Sequence, residues 1–424
     1  MANHSGSFGE ADARAEAKLT HRRSAKIRKN HFRRLYEAAK PFVLATLGLM
    51  AVLVLLEFLT RVADYVKFGA PLLQNYNEDS LFSFDALGKH GRPFARYRKW
   101  QLDSQGYRGP EIEKDKIHII CIGSSETFGL YEAPDQEYPR QLERDLNEAA
   151  GKNNYQVVNV AFPGQTLNTA RARIPGIVAS IHPQYALIYP SVAFYIWLPW
   201  TIPAPPPPVA SPQVEDARFE WRIAEAFHQD AKQYLPPAFQ NWLREVQNRR
   251  DARKFGVEMD RVPDENVARL KSDLTMLLDE LRSFGVQPVL VTHASRFGQH
   301  VRATDRYFLT GWRRIFPMMK ENGFLDTERR MNAAIREVAT ERGVPLIDVA
   351  KEMPSGSMYF GDHQHFTTLG AQVMAEKLTA GLLPILELQA HSGSGGTATA
   401  SISREGAGSS NPALRPSPAN RFSP

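Results

Sequence analysis

The sequence is poor in the residues that build covalent or metal-linked frameworks. Cys121 is the only cysteine in 424 residues, which excludes a disulfide framework and a cysteine zinc cluster. The sequence also lacks a series of long apolar runs, which excludes a polytopic transporter. Hydrophobic residues make up 43% of the chain, close to the globular norm, so disorder along the whole length is excluded as well.

Outside its first forty residues the chain has no excess of charge of either sign. Residues 1–40 hold ten Lys or Arg against four Asp or Glu, which accounts for the whole net charge of +6. The rest carries 42 residues of each sign, so no basic folded domain and no nucleic-acid partner is expected. A cluster that sets membrane topology explains the basic arm better than the alternative, an arm that binds nucleic acid.

One apolar run follows the arm directly. Pro41 to Leu59 carries a single charge, Glu57, and its nineteen helical residues span roughly 28 Å, close to a hydrocarbon core of about 30 Å. A buried core helix would not be apolar all round, and a cleaved signal peptide would not follow so long an n-region. We therefore expect a transmembrane helix at 41–60 after a basic cytoplasmic arm at 1–40. By the positive-inside rule, the residues after this helix are expected to lie outside the cytoplasm.

From Lys116 onward, short apolar runs alternate with amphipathic helical stretches. This alternation is typical of βαβ units, which build a mainly parallel sheet with helices on both faces. The predicted strands are Ile117–Ile122, Gln156–Val160, Tyr185–Tyr189, Pro288–Thr292 and Pro345–Val349. The predicted helices are Tyr138–Ala149, Ala170–Ala179, Glu265–Arg282, Thr327–Glu341 and Thr368–Leu383. The fold class is therefore α/β, a three-layer α/β/α domain at 116–390 that follows a juxtamembrane lead-in at 61–115.

Two segments depart from this alternation. Residues 197–263 are interpreted as an insertion between two strands, near the C-terminal edge of the sheet, where it forms a flap or a partner surface. Within it, Ile202–Pro212 contains six prolines and is expected to be extended, and a helical stretch follows. Residues 391–424 are dominated by Ser, Gly, Ala, Thr and Pro, which predicts a disordered tail.

Three short stretches carry candidate chemistry, and each has a plainer interpretation. Ile117–Gly129 runs from a buried strand through Gly-Ser-Ser into a helix, although serine at such a turn is often only an N-cap. Val157–Thr166 ends a second strand in Pro-Gly, where Gly164 could bring its N–H to a ligand or could form an ordinary turn. Asp362 precedes His365 by three residues, so the carboxylate can hold Nδ1–H while Nε2 accepts a proton.

The third stretch also has the side chains of a metal site. Asp362, His363 and His365 could all bind a metal ion, but no second His/Asp pair lies close enough to complete a ligand set. No metal and no cofactor is therefore expected. His363 is interpreted as an ordinary surface histidine.

Together, in this order, the three stretches resemble the SGNH (GDSL-type) hydrolase family. Gly123-Ser124-Ser125 is similar to the family's Gly-Asp-Ser motif, with Ser125 at the nucleophile position and Ser124 where Asp is common. Gly164 falls at the glycine of the second family block. Asp362 and His365 match the family's Asp-x-x-His.

Two further features extend the resemblance, which covers about Gly106 to Leu388 without the insertion. Thr367 and Gly370 follow the Asp-x-x-His motif as they do in the family. Asp103–Glu111, DSQGYRGPE, is similar to the lead-in of membrane-anchored bacterial members. The resemblance implies a flavodoxin-like α/β/α fold and a triad of Ser125, His365 and Asp362 acting on esters.

One family block is altered. Aligning Pro183–Phe194 with the Gly-x-Asn-Asp block puts Ala193 at the asparagine that donates to the oxyanion, and alanine cannot donate. The loss of one such donor typically costs about 100- to 1000-fold in turnover. Either Asn168, His293 or a residue of the insertion replaces it beside Gly164 and Ser124, or the enzyme is slow, or the site is degenerate.

The resemblance and the predicted export together imply a function at the inner membrane, with the N-terminus cytoplasmic and the domain periplasmic. We expect a serine esterase or O-acyltransferase that acts on O-acetyl groups of cell-envelope or exported polysaccharide. Expected partners are that ester substrate, the membrane and envelope polysaccharide-assembly proteins. The alternative is a catalytically impaired domain that binds glycan or an export complex through the aromatic insertion (Trp197, Trp200, Trp221, Trp242).

Overall fold

The first element is a long helix, α1 (Phe8–Phe68), which contains the predicted span and continues beyond it. The computed structural model describes residues 8–196, 221–224, 236–255, 258–298 and 301–394. Within that part of the chain, Ala39–Phe68 is the one stretch long and apolar enough to cross a membrane, with a mean hydropathy of 2.5. Only 6% of its most apolar window is buried, so the protein itself does not cover these side chains.

The C-terminal end of α1 is bonded to the segments around it. Arg61 Nε donates to Glu57 Oε1 at 2.6 Å, and Arg61 Nη1 donates to the carbonyl of Leu72 at 2.9 Å. The N–H of Ile223, which lies in the insertion, donates to Glu57 Oε2 at 2.9 Å. Arg222 donates to the carbonyl of Gln74 at 3.1 Å. The helix end is therefore fixed to the lead-in and to part of the insertion.

The lead-in packs on the domain through two small antiparallel hairpins. Their strands are β1 (Phe82–Asp85) with β2 (Gly88–Gly91), and β3 (Arg96–Tyr97) with β4 (Trp100–Gln101). The ring of Phe82 lies 5.8 Å from that of Phe128 and 5.9 Å from that of Phe162, both in the domain. The lead-in is thus part of the folded body.

The domain is built on a five-stranded parallel sheet with the order β6-β5-β7-β8-β9. The strands are β5 (Ile117–Ile122), β6 (Tyr155–Asn159), β7 (Tyr185–Ile188), β8 (Gln287–Val291) and β9 (Leu346–Ile347). The helices are α2 (Ser125–Phe128), α3 (Tyr138–Ala149), α4 (Leu167–Ile181), α5 (Pro237–Phe255), α6 (Asp264–Ser283), α7 (Arg306–Arg313), α8 (Glu321–Arg342), α9 (Val349–Glu352) and α10 (Thr368–Ser394).

Both faces of the sheet are apolar because strand side chains point alternately to opposite sides. Ile120 and Ile122 belong to the cluster that α4, α6 and α8 cover. Ile119 and Cys121 belong to the cluster that α3 and α10 cover on the opposite face. The predicted three-layer α/β/α class is therefore confirmed, and the C-terminal ends of all five strands share one edge.

The predicted strands and helices are all present, with differences at their ends. β9 keeps only two of its five predicted residues, and α8 begins at Glu321 instead of Thr327. α10 continues to Ser394, so the first residues of the predicted tail at 391–424 are helical. Within the predicted insertion at 197–263 the structure describes 221–224, α5 and 258–263. The Pro-rich Ile202–Pro212 and residues 395–424 lie outside the described residues.

Candidate active site

The turn after β5 places a serine at the C-terminal edge of the sheet. β5 ends at Ile122, and Gly123 and Ser124 lead into the short helix α2, which begins at Ser125. Gly123 has no room for a side chain, because a Cβ there would lie 1.9 Å from Thr127 Oγ1. The tight turn leaves Ser125 partly accessible while Ser124 is buried.

The loop before α10 brings the histidine to this serine. His365 Nε2 lies 2.8 Å from Ser125 Oγ, although the two residues are 240 positions apart in the chain. His365 Nδ1 lies 2.7 Å from Asp362 Oδ2. The other oxygen of Asp362 accepts the backbone N–H groups of Gln364 and His365, both at 2.9 Å. This turn fixes the carboxylate beneath the imidazole and explains the three-residue spacing.

Electrostatics favour ionised Asp362 and a basic His365. Burial opposes the charge on Asp362, but its hydrogen bond from His365 and the nearby imidazoles outweigh burial and hold the pKa of the carboxyl well below its usual range. Burial likewise lowers the pKa of His365, but the hydrogen bond and charge of Asp362 outweigh it and raise the pKa of the imidazole. The arrangement is that of a nucleophile, a base and an orienting carboxylate.

His363 is not a surface residue, so that expectation is wrong. It is 9% exposed, and its ring stacks on Trp312 with centroids 5.0 Å apart. Burial lowers its pKa to about 4, so the ring is neutral at physiological pH. Among the described residues, no group of three or more His, Cys, Asp or Glu is arranged to hold a metal ion.

The turn after β6 supplies a backbone donor next to the serine turn. Gly164 has a φ of 84°, a conformation that glycine adopts without strain, and its N–H donates to Ser124 Oγ at 3.2 Å. Gly164 and Ser124 are thus in direct contact. The side chain of Ser124 holds the turn instead of facing solvent.

The structure does not bring Asn168 to this group. Its Nδ2 donates to Asp273 Oδ2 at 3.1 Å, and the side chain is buried between α4 and α6. The role of Asn168 as a replacement oxyanion donor is therefore not supported by its contacts. Ala193 lies in a 3₁₀ turn after β7 and is 7% exposed, so no side-chain donor occupies that position.

The sequence predicted no role for three residues near the triad. Tyr131 donates from its hydroxyl to Asp362 Oδ2 at 2.9 Å, and its ring meets His365 edge-on at 5.4 Å. Arg108, from the DSQGYRGPE lead-in, donates to the carbonyls of Phe128 and Gly129 and so braces the end of α2. Glu126 follows the serine directly and is 1% exposed. For Glu126, its charge within a turn expected to be buried was the one sequence signal of a special role.

Comparisons with known proteins find similarity only among solved structures. No family model matches the chain, and no curated protein matches it. Similar solved structures include a lipase/acylhydrolase from Enterococcus faecalis (15% identity, 63% of this chain, 95% of that chain, TM-score 0.37). They also include a psychrotrophic esterase from Pseudoalteromonas sp., with 10% identity over 64% of this chain and 98% of that chain and a TM-score of 0.36. A third is the acetyl xylan esterase AlAXEase, with 14% identity over 63% of this chain and 100% of that chain and a TM-score of 0.35. At these identities and TM-scores the matches assign neither a family nor an activity to this chain.

The sheet order and the order of the site motifs along the chain agree with the resemblance to SGNH (GDSL-type) hydrolases. The parallel sheet with helices on both faces carries a serine after its first strand and an Asp-x-x-His turn before its last helix. Fold alone does not establish activity, so function has to be inferred from the site.

Proposed function

We propose that the chain is a membrane-anchored, extracytoplasmic serine esterase or O-acyltransferase acting on O-acetyl groups of cell-envelope or exported polysaccharide. One observation carries the chemistry: hydrogen bonds link Ser125 Oγ to His365 Nε2 at 2.8 Å and His365 Nδ1 to Asp362 Oδ2 at 2.7 Å. This hydrogen-bonded arrangement at a partly accessible serine suits acyl transfer better than passive binding.

In the proposed mechanism, Ser125 Oγ attacks the ester carbonyl as its proton passes to His365 Nε2. Asp362 stabilises the imidazolium, which then gives the proton to the leaving alkoxide as the C–O bond breaks. Water that attacks the acyl-enzyme releases a carboxylic acid, whereas a sugar hydroxyl that attacks it receives the acyl group. The same histidine deprotonates either acceptor and returns the proton to Ser125.

Backbone N–H groups of Ser125 and Gly164 are proposed to hold the oxyanion. Gly164 N–H already lies beside the serine turn, on Ser124 Oγ, and no Cβ obstructs its approach to a ligand. With Ala193 at the third position, we expect turnover below that of a site that has all three donors.

The proposed location rests on α1 and the charges before it. The apolar Ala39–Phe68 is long enough to span a bilayer, and the preceding residues are basic, which favours a cytoplasmic N-terminus. The domain would then lie outside the cytoplasm, where envelope and exported polysaccharides are found.

The first test replaces the nucleophile. Ser125→Ala in the full-length protein is expected to lower p-nitrophenyl acetate turnover by at least 1000-fold, because no other group can form the acyl-enzyme. Ser283→Ala, at an exposed serine near the end of α6, is the matched control and should keep wild-type turnover. Equal turnover in Ser125→Ala and wild type would exclude the mechanism.

The second candidate is a catalytically impaired scaffold that binds glycan or an export complex. Ala193 favours it, as does a stacked aromatic pair on α5, Phe239 and Trp242, which are 45% and 58% exposed. The predicted aromatics Trp197 and Trp200 lie outside the described residues. A fluorophosphonate probe distinguishes the two, because labelling of Ser125 requires an activated serine. Absence of labelling in folded protein would favour the scaffold.

A further inference from the structure

Ser125 has a second hydrogen-bond acceptor besides the histidine. Its Oγ lies 3.1 Å from Glu126 Oε2, so one hydroxyl proton is shared between a carboxylate and an imidazole. The side chain of Glu126 is buried beneath the serine, on the side away from solvent. The proposed acyl-transfer mechanism assigns no task to this carboxylate.

The rest of the Glu126 carboxylate is held by buried groups. Ser191, after β7, donates to Glu126 Oε1 at 2.8 Å. His293, after β8, places Nε2 3.5 Å from the same oxygen and Nδ1 2.9 Å from Glu328 of α8. His293 is fully buried, and its ring is stacked on Tyr189. The segments after β7 and β8 therefore converge on one carboxylate, and α8 holds His293 through Glu328.

These contacts keep Glu126 charged despite its burial. Burial opposes ionisation of Glu126, but the hydrogen bond with His293 and the charges of His365 and His293 outweigh it and lower the pKa of the carboxyl. Burial also lowers the pKa of His293, but Glu328 and Glu126 outweigh it and raise that pKa. The geometry thus places an imidazole between two carboxyl groups, and its raised pKa favours the protonated form.

We propose that Glu126 is a positioning residue for the nucleophile: it receives the Ser125 hydroxyl when His365 is protonated and supplies, with Asp362, the negative charge that stabilises the His365 imidazolium. This inference rests on the proposed acyl-transfer function. When Nε2 carries a proton it donates to Ser125 Oγ, and the serine hydroxyl then donates to Glu126. The protonated state therefore has an unbroken chain from Asp362 to Glu126, which the neutral state lacks.

Other charged and titratable groups also face His365, and the test has to separate them from Glu126. Asp362 lies on the same loop, and neutral His363 is its neighbour. Glu132 and Tyr131 approach from the loop after α2, and the charge of Glu132 also raises the pKa of His365. Glu126 differs from all of them in touching the serine oxygen.

The decisive experiment follows the titration of the His365 ring by NMR in full-length, ¹³C-histidine-labelled protein in detergent micelles, with the signal assigned by its loss in His365→Gln. Glu126→Gln keeps the shape of the side chain and removes its charge. It should lower the titration midpoint of His365 by about one pH unit, the usual size of such a charge effect. The acid limb of kcat/KM should move by the same amount to lower pH.

Two further variants separate the hydroxyl link from charge alone. Ser125→Ala leaves every buried charge in place but breaks the chain between His365 and Glu126, so its midpoint should also fall. Glu132→Gln, the matched control, removes a carboxyl that does not touch Ser125 and whose pKa burial raises to about 7, so it should shift the midpoint less than Glu126→Gln. An unchanged midpoint in folded Glu126→Gln, or a fall there without one in Ser125→Ala, would overturn the proposal.

The titration also distinguishes this inference from the proposed function. A wild-type protein without esterase or transferase activity would refute the proposed function, whereas the His365 midpoints would still report whether Glu126 acts on the histidine through the serine. If Glu126→Gln does not fold, the midpoint in Ser125→Ala alone decides, because that variant leaves the buried ion pairs intact.

Discussion

At the scale of single residues, the carboxylate of Asp362 is shared between His365 and Tyr131. Both the imidazole Nδ1 and the phenol hydroxyl lie within 2.9 Å of Asp362 Oδ2. Burial and the charge of Asp362 raise the pKa of Tyr131, so the phenol stays protonated and acts as a donor throughout the physiological range. Tyr131 is half exposed, so it limits access to the histidine from the solvent side.

Tyr131→Phe tests this contact. The variant keeps the ring against His365 and removes one hydrogen bond from an ionised carboxylate, so kcat should fall by about tenfold. With one donor fewer on Asp362, the His365 imidazolium is better stabilised, and the acid limb of kcat/KM should move to higher pH, opposite to Glu126→Gln. The pH profile measures both; a limb that moves to lower pH would contradict the interpretation.

The sequence predicted Ser125, Asp362 and His365 because each lies in a local motif with a regular spacing. Tyr131 and Glu328 could not be found in this way, because no local motif marks them. His293 was named only as a possible oxyanion donor, and it lies buried between Glu126 and Glu328. Asn168 lies in α4, which begins three residues before the predicted helix, and its side chain donates to Asp273. Local patterns predict which residues react, whereas tertiary packing decides which residues support them.

At the scale of elements, the start of α10 explains the residues after the histidine. Thr367 Oγ1 donates to the carbonyl of Met358 and accepts the N–H of Gly370 at 3.0 Å. A Cβ on Gly370 would lie 1.9 Å from the carbonyl oxygen of Tyr359. The helix can therefore press against the chain that carries Asp362 and His365 only if residue 370 is glycine.

Gly370→Ala should displace this loop and destabilise the domain by about 2 kcal/mol, in the range of overpacked sites. Gly176→Ala is the matched control: it lies in α4 with open space around it, so alanine should be neutral or add about 0.5–1 kcal/mol of stability. Urea unfolding measures both. Equal stabilities for the two variants would show that the contact with Tyr359 is unimportant.

The sequence located the elements well and their ends less well. β5 and α3 were predicted to the residue, because each is bounded by turn or capping signals. β9 is shorter than its apolar run, since only Leu346 and Ile347 pair with β8. The predicted arm and span are continuous in the single helix α1, because both halves have good helix formers and only Pro41 lies inside the helix.

At the scale of the whole molecule, buried and paired carboxylates make the fold sensitive to acid. Arg336 donates to both oxygens of Asp348 at 2.8 Å, which joins α8 to the end of β9. This pairing holds the pKa of Asp348 well below its usual range, as His365 does for Asp362. At these two groups the unfolded chain binds more protons than the folded chain below about pH 4.5, so the stability that they contribute should be lost as the pH decreases further.

Thermal melts at a series of pH values would measure this dependence. The contribution of the Asp348 ion pair is the difference in melting temperature between the wild type and Asp348→Asn. It should change little between about pH 7 and 5 and decrease between about pH 4.5 and 3, where the unfolded aspartate titrates. Asp348→Asn should be less stable at pH 7 and show a shallower acid decline. An identical decline in the variant would assign the sensitivity to other carboxylates.

The bonds at the end of α1 have a further consequence for a tethered enzyme. Arg61 and Glu57 are hydrogen-bonded to residues of the lead-in and the insertion. These bonds connect the end of α1 to the domain directly, without a flexible linker between them. If α1 crosses the bilayer as proposed, the height of the serine above the lipid is a property of the fold. A polymer would then have to be delivered to that height, near the point where it leaves the membrane, to be modified.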